Sequence, residues 1–170
     1  LILSFNNFFG RFVIFLMGVD PGLRITGWGV IEVNGNKLSG VACGIIKTNK
    51  NDSISCRLNI IYENLLKYIN LYKPIECAIE ETFVNKNPIS ALKLGHARAA
   101  AMLSIAQAGL EVSEYAPNKV KKAVVGVGHA DKNQINSMIK LLLNGIKVNS
   151  NDEADALAVA ICHAHHRNSF

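Results

Sequence analysis

Residues 12–22 read FVIFLMGVDPG, an unbroken apolar run that ends in a carboxylate and a Pro-Gly turn. An apolar run of this length without alternation is the pattern of a strand covered on both faces. Pro21-Gly22 then ends it. An ionised Asp20 inside such a core would be costly without a partner, so it marks the exit of the strand. That position suits an acid that opens a turn, and it equally suits a metal ligand. Downstream, TGWGVIEV (26–33) alternates as a half-buried strand and stops at Asn34-Gly35, a hairpin signal. KLSGVACGIIKT (37–48) returns as a third strand, so the chain opens with a β-meander.

Residues 54–72 place Ile54, Leu58, Ile61, Leu65 and Ile69 on one helical stripe, closed by Pro74. IECAIEE (75–81) is a short strand with Glu80 near its end, followed by the polar loop TFVNKNP. An Ala-rich helix runs from Ile89 to Gly109, and its small side chains would let another helix approach closely. LEVSEYA (110–116) is the last strand. After it come a basic, Gly-interrupted segment, PNKVKKAVVGVGHADKNQ, and a helix through Leu143 for which Asp131 is the candidate N-cap. The turn NGIKVNSN leads to a final helix that starts at Asn151 or Asp152. Strands and helices in this order predict an α/β domain: a mixed five-stranded sheet with helices on both faces. The domain is expected over residues 12–166, with residues 1–11 as an extension.

The chain has 170 residues, of which 49% are hydrophobic and 18% charged, enough for one sizeable core. Its net charge of +5 favours a polyanionic partner. Cys43, Cys56, Cys77 and Cys162 show no CxxC or disulfide-like spacing and read as reduced, intracellular residues, with Cys77 and Cys162 in the core. The apolar stretch at the start falls well below the ~20 residues that span a bilayer, and it lacks a signal-peptide cleavage pattern. A soluble cytoplasmic protein without a membrane partner is expected.

Four acids fall at element ends. Asp20 ends the first strand, Glu80 the fourth, and Asp152 and Asp155 open the last helix on one face, three residues apart. Ligands of open α/β sheets bind at the carboxyl ends of strands. Acids gathered there would repel one another, and divalent cations would neutralise them. All-oxygen donors select Mg²⁺ or Mn²⁺ over Zn²⁺. Two such ions about 4 Å apart can activate a water and stabilise the leaving oxygen of a phosphodiester. Taken singly, Asp152 could be an N-cap and Asp155 a first-turn acid favoured by the helix dipole. Glu81 competes with Glu80. His163 lies about 12 Å along the helix from Asp155, too far to share ligands with it. With His165 and His166 it reads as a helix end that complements the dipole.

The blocks GVDPGLRITGWGVIE, AIEETF, ALKLGHARA, VKKAVVGVGHADKNQ and DEADALAVAICHAH resemble the successive blocks of the RuvC-type Holliday junction resolvases, in order and spacing over about residues 13–166. The resemblance implies an RNase H-like fold and a homodimer that cuts four-way junction DNA by paired nicks, in recombination and repair. It implies two Mg²⁺ per active site, with Mn²⁺ as a substitute, and 5′-phosphate products. The family's catalytic, metal-binding acids fall on Asp20, Glu80, Asp152 and Asp155. Its junction-stacking aromatic falls on Phe83, and its phosphate-contacting lysines on Lys121 and Lys132. Lys86 and Arg98 are further DNA-contact candidates, with Lys119 and Lys122 weaker ones. A RuvA–RuvB-type branch-migration complex is the implied partner. An RNase H-like nuclease acting on RNA or hybrids, and a junction-binding protein without nuclease activity, are the alternatives. An actin-like ATPase needs two such lobes, and the chain has length for one.

Overall fold

In the computed structural model, residues 13–81, 87–127 and 131–167 are described. The strands are β1 (Val13–Asp20), β2 (Ile25–Asn34), β3 (Lys37–Lys47), β4 (Glu76–Glu80) and β5 (Val112–Tyr115). The helices are α1 (Ile54–Tyr72), α2 (Pro88–Gln107), α3 (Pro117–Val125), α4 (Lys132–Leu142) and α5 (Asn151–His166). The sheet order is β3-β2-β1-β4-β5. The meander β3-β2-β1 is antiparallel, whereas β4 and β5 run parallel to β1. This is the mixed five-stranded sheet expected from the sequence. The N-terminal extension lies outside the described residues.

The apolar run of β1 is explained by cover on both faces. Leu16 points into one core, which it shares with α3, α4 and α5. Met17 and Val19 point into the other, under α1 and α2. β2 alternates in the same way, Trp28 and Val30 against Ile31 and Val33. At the edge, β3 shifts register opposite Val30/Ile31, leaving Val41 as the extra, exposed residue of a bulge. On α1, Ile61, Leu65 and Ile69 are buried, but Ile54 is exposed. The helix closes with Lys73 in the left-handed conformation just before Pro74. On α2, Asn87 caps the first turn through the N–H groups of Ile89 and Ser90, with Pro88 behind it.

Only some of the small residues of α2 face the inside of the molecule, and Gly95, Ala99 and Ala106 are exposed. Ala97, Ala101 and Ser104 are fully buried, and the Ser104 hydroxyl donates to the Tyr62 carbonyl of α1 at 3.0 Å. The outward face of α2 also carries a stripe of larger side chains, with Ile89, Leu92 and Leu103 each exposed by more than half. Among the described residues no helix is long and apolar enough to cross a membrane.

Candidate active site

β1 and β4 are parallel neighbours in which Val19 pairs with Ile79, so Asp20 and Glu80 come next to each other at the carboxyl end of the sheet. Across the other edge of β1, Asp20 pairs with Gly27. The first turn of α5 lies on that glycine. A Cβ at Gly27 would come 2.0 Å from the Asp152 carbonyl oxygen, and one at Gly18 would come 2.2 Å from that of Ala156. Helix backbone therefore rests directly on sheet backbone, which brings Asp152 and Asp155 over the end of β1.

α5 starts at Asn151, the first of the two starts expected from the sequence, and its N-cap is Ser150 rather than Asp152. The Ser150 hydroxyl accepts from the Glu153 N–H at 3.2 Å, and the Glu153 carboxylate accepts from the Ser150 N–H at 3.1 Å. This reciprocal box satisfies the helix terminus. Asp152 is thereby relieved of capping duty.

The acids act on one another. Burial, then Glu80, Asp155 and Asp152, push the Asp20 carboxyl up to about 7, with Lys132 opposing. Burial and then Asp155 push Glu80 up to about 7, with Lys121 opposing. Asp155 is also raised, first by its burial and then by Asp152, against the pull of Lys132 and Lys121. Four carboxylates and two lysines thus share one field. Glu81 is not among the charges acting on Asp20 or Asp155. It sits one residue past β4, its N–H bonded to the Tyr115 carbonyl at 2.9 Å.

Among the described residues no three His, Cys, Asp or Glu side chains stand ready-arranged around a metal position. The donor chemistry nevertheless fits a hard divalent cation: the donors are carboxylate oxygens, and their shared repulsion is what such an ion would relieve.

Lys132 is the first residue of α4, fixed by a second capping box. Asp131 accepts from the Asn133 and Gln134 N–H groups at 2.8 and 2.9 Å, and Gln134 returns a bond to the Asp131 N–H. Lys121 is half-buried on α3, and Lys122 is exposed. Lys119 stacks its ammonium 4.9 Å from the Tyr115 ring. Arg98 is engaged elsewhere, in an ion pair with Glu114 of β5. Phe83 and Lys86 lie outside the described residues.

His163 departs from the sequence reading. It stands in the last turn of α5 as expected, but it is buried and bonded to other elements. Its Nδ1 lies 2.9 Å from the Tyr115 hydroxyl, and its Nε2 lies 2.9 Å from a carboxylate oxygen of Glu76. Arg167 clasps the same carboxylate, with Nε 3.1 Å from both oxygens. The Arg167 hydrogen bonds hold Glu76 below the usual carboxylate range, and burial lowers His163 despite Glu76. The pattern of α5 alone carries no sign of this cluster, since its partners come from β4 and β5. His166 turns back to the Cys162 carbonyl, with Nδ1 at 2.8 Å.

A family model described as crossover junction endodeoxyribonuclease RuvC matches residues 16–163. A curated protein of that name from Rhizobium johnstonii is 53% identical over 154 residues, 91% of each chain. Its counterpart from Rhodospirillum rubrum is 55% identical over 152 residues, covering 89% of this chain and 90% of its own. Among solved structures, Thermus thermophilus RuvC in complex with Holliday junction substrate is 32% identical with a TM-score of 0.83, over 89% of this chain and 93% of the other. The yeast mitochondrial Holliday junction resolvase Ydc2, at 12% identity and a TM-score of 0.64 over 86% of this chain and 77% of its own, shares the fold alone.

Proposed function

Since the chain belongs to the crossover junction endodeoxyribonuclease RuvC family, we propose that it resolves four-way DNA junctions by paired, metal-dependent nicks in recombination and repair. The observation that carries this is the gathering of Asp20, Glu80, Asp152 and Asp155 in one field at the end of the sheet, with Lys121 and Lys132 beside them. The four acids would hold Mg²⁺, two ions per site, with Mn²⁺ as a substitute. Bound there, the ions would supply the charge that ionises a water near neutral pH and stabilises the oxygen leaving phosphorus.

The chain's own part is positional. Strand pairing holds the backbone of Asp20 and Glu80, and a capped helix that of Asp152 and Asp155, so all four acids stand on rigid elements before substrate arrives. Lys121 and Lys132 would hold phosphates of the strand being cut, and Phe83 would stack on bases at the junction centre. Products would carry 5′-phosphate and 3′-hydroxyl ends.

A junction offers two equivalent strands, which a two-fold homodimer matches with two sites. The exposed stripe Ile89, Leu92, Leu103 on α2 suits that interface, beside a groove of about 470 Å³ lined by Leu58, Tyr62 and His96. The dimer would work in the cytoplasm with a RuvA–RuvB-type branch-migration complex. Residues 12–166 would carry the activity, so a chain lacking residues 1–10 should nick as the full chain does.

The test is incubation of the purified protein with a synthetic four-way junction, an RNA–DNA hybrid and RNA, with Mg²⁺ or EDTA. Symmetric nicks in the junction alone, and only with Mg²⁺, are expected. Cleavage in EDTA, or preference for the hybrid, would overturn the proposal.

A further inference from the structure

Lys121 and Lys132 lie on the α3–α4 side of the acids, and on the α1–α2 side there is a second basic cluster. An open pocket of about 480 Å³ is lined by Leu23, Arg24, Lys50, Arg57, Ser90 and Lys93. Leu23 and Arg24 belong to the turn that follows Asp20, and Ser90 and Lys93 to the first turns of α2, the element after the Glu80 loop. The turn after β1 and the start of α2 thus both help to build its wall.

Arg57 is the buried cation of the pocket wall. It is 7% exposed, yet among the described residues no carboxylate pairs with it. Its Nε donates to the Thr48 hydroxyl at 2.9 Å and its Nη2 to the Leu23 carbonyl at 3.1 Å. The Thr48 N–H in turn donates to the Arg24 carbonyl at 3.0 Å. Arg57 therefore holds the turn after Asp20 against the end of β3, and among the described residues the rest of its guanidinium fork makes no hydrogen bond. Arg24, Lys50 and Lys93 are exposed and also form no ion pair among the described residues, including with nearby Asp52. A buried guanidinium without an acid is costly, and three like charges around it add repulsion. Arg98 and Arg167, by contrast, each have a glutamate.

We propose that this pocket is a second phosphate seat for the strand being cut. The strand's backbone would cross the end of the sheet from Lys121 and Lys132, over the acids, into the pocket. The seat rests on the junction-nicking reading and deepens it. A planar fork flanked by lysines and a serine hydroxyl is the donor set that phosphate oxygens recruit.

The experiment uses the full-length protein with Arg24→Gln, Lys50→Gln and Lys93→Gln, singly and together. Lys37→Gln, in the hairpin at the opposite end of the sheet, is the control. All four residues are exposed, so the variants should fold. Affinity for a synthetic four-way DNA junction is measured in Ca²⁺ across a salt series, and nicking in Mg²⁺. The triple variant should lose about tenfold or more in affinity, and its salt slope should flatten by up to ~0.9 for each phosphate it no longer neutralises. Methylphosphonates placed on the pocket side of the cut, away from Lys121 and Lys132, should weaken wild type and leave the triple variant unchanged. Wild-type affinity and slope in the triple variant, or methylphosphonate sensitivity equal in both proteins, would overturn the seat while wild-type nicking still stands. A wild-type protein that neither binds nor nicks the junction would overturn both.

Discussion

β4 carries a glutamate at each end, and the two live under opposite conditions. Glu76 is clasped by Arg167 and His163 and sits below the usual carboxylate range. Glu80, four residues on, faces Asp155 and the other acids and is pushed up to about 7. α5 spans the same divide, with Asp152 and Asp155 in its first turns and His163 in its last. One end of this strand–helix pair is balanced in charge, and that end holds the structure together. The other is left unbalanced, as a site that awaits charged ligands would be.

The contrast breaks most plainly in activity. Asp152→Asn or Glu80→Gln should slow junction cleavage by ~10³-fold, ~4 kcal/mol of transition-state stabilisation, while junction affinity is kept or improved. Single-turnover cleavage beside binding in Ca²⁺ checks this, and a Glu80→Gln protein that cleaves at the wild-type rate would dissolve the division between the two ends.

Stability should move in opposite directions at the two ends. In EDTA at pH 8, Asp20→Asn should raise the melting temperature by about 5 °C, because it removes a repelled charge. Glu76→Gln should lower it by a similar amount, as charge-assisted bonds worth about 1–2 kcal/mol are lost in a partly exposed setting. Thermal melts of the two variants beside wild type decide the signs.

The pH dependence sharpens the comparison. Asp20 and Glu80 hold protons in the folded chain up to about pH 7, and the unfolded chain releases them at about pH 4. Between those values the folded state binds more protons, so the acid end loses stability as pH rises. At the other end, Glu76 contributes stability above its unfolded value and loses it only as pH falls through its lowered one. Mg²⁺ should therefore raise the melting temperature more at pH 8 than at pH 5, and Asp20→Asn should shrink that gain. Equal gains at both pH values would count against a cation site among these acids.

The smallest effect belongs to Glu81→Gln. One residue past Glu80, it should leave cleavage within about twofold of wild type, as an ordinary surface change would.

Much of the fold was legible in local patterns. The apolar run, the Asn-Gly turn and the stripe of α1 gave the order of strands and helices, because each depends on neighbours in sequence. The four acids were legible as element ends. What was not legible depends on register and packing. Glu80 and Glu81 look alike in a string, and only the pairing of Val19 with Ile79 puts Glu80 beside Asp20. The Ser150-x-x-Glu153 box was available as a motif and would have chosen Asn151 over Asp152 as the helix start. The burial of His163 and the inward use of Ala97 and Ala101 come from packing between distant segments. The pocket around Arg57 is of the same kind, since Thr48, Leu23 and Arg57 meet only when β3, the turn and α1 are assembled.

The seating of α5 on Gly18 and Gly27 has a consequence for divergence. Main chain against main chain has no rotamers to adjust, so the gap between Asp20 of β1 and the acids of α5 works as a fixed gauge, set by the thickness of two backbones. Side chains elsewhere in the core can drift and repack without changing it. A single methyl group at Gly27 would have to lift the helix, because it would meet the Asp152 carbonyl at 2.0 Å. Core substitutions that cost stability should therefore be repairable by second-site repacking, whereas Gly27→Ala should not be, because no neighbouring side chain can give back space that a backbone occupies.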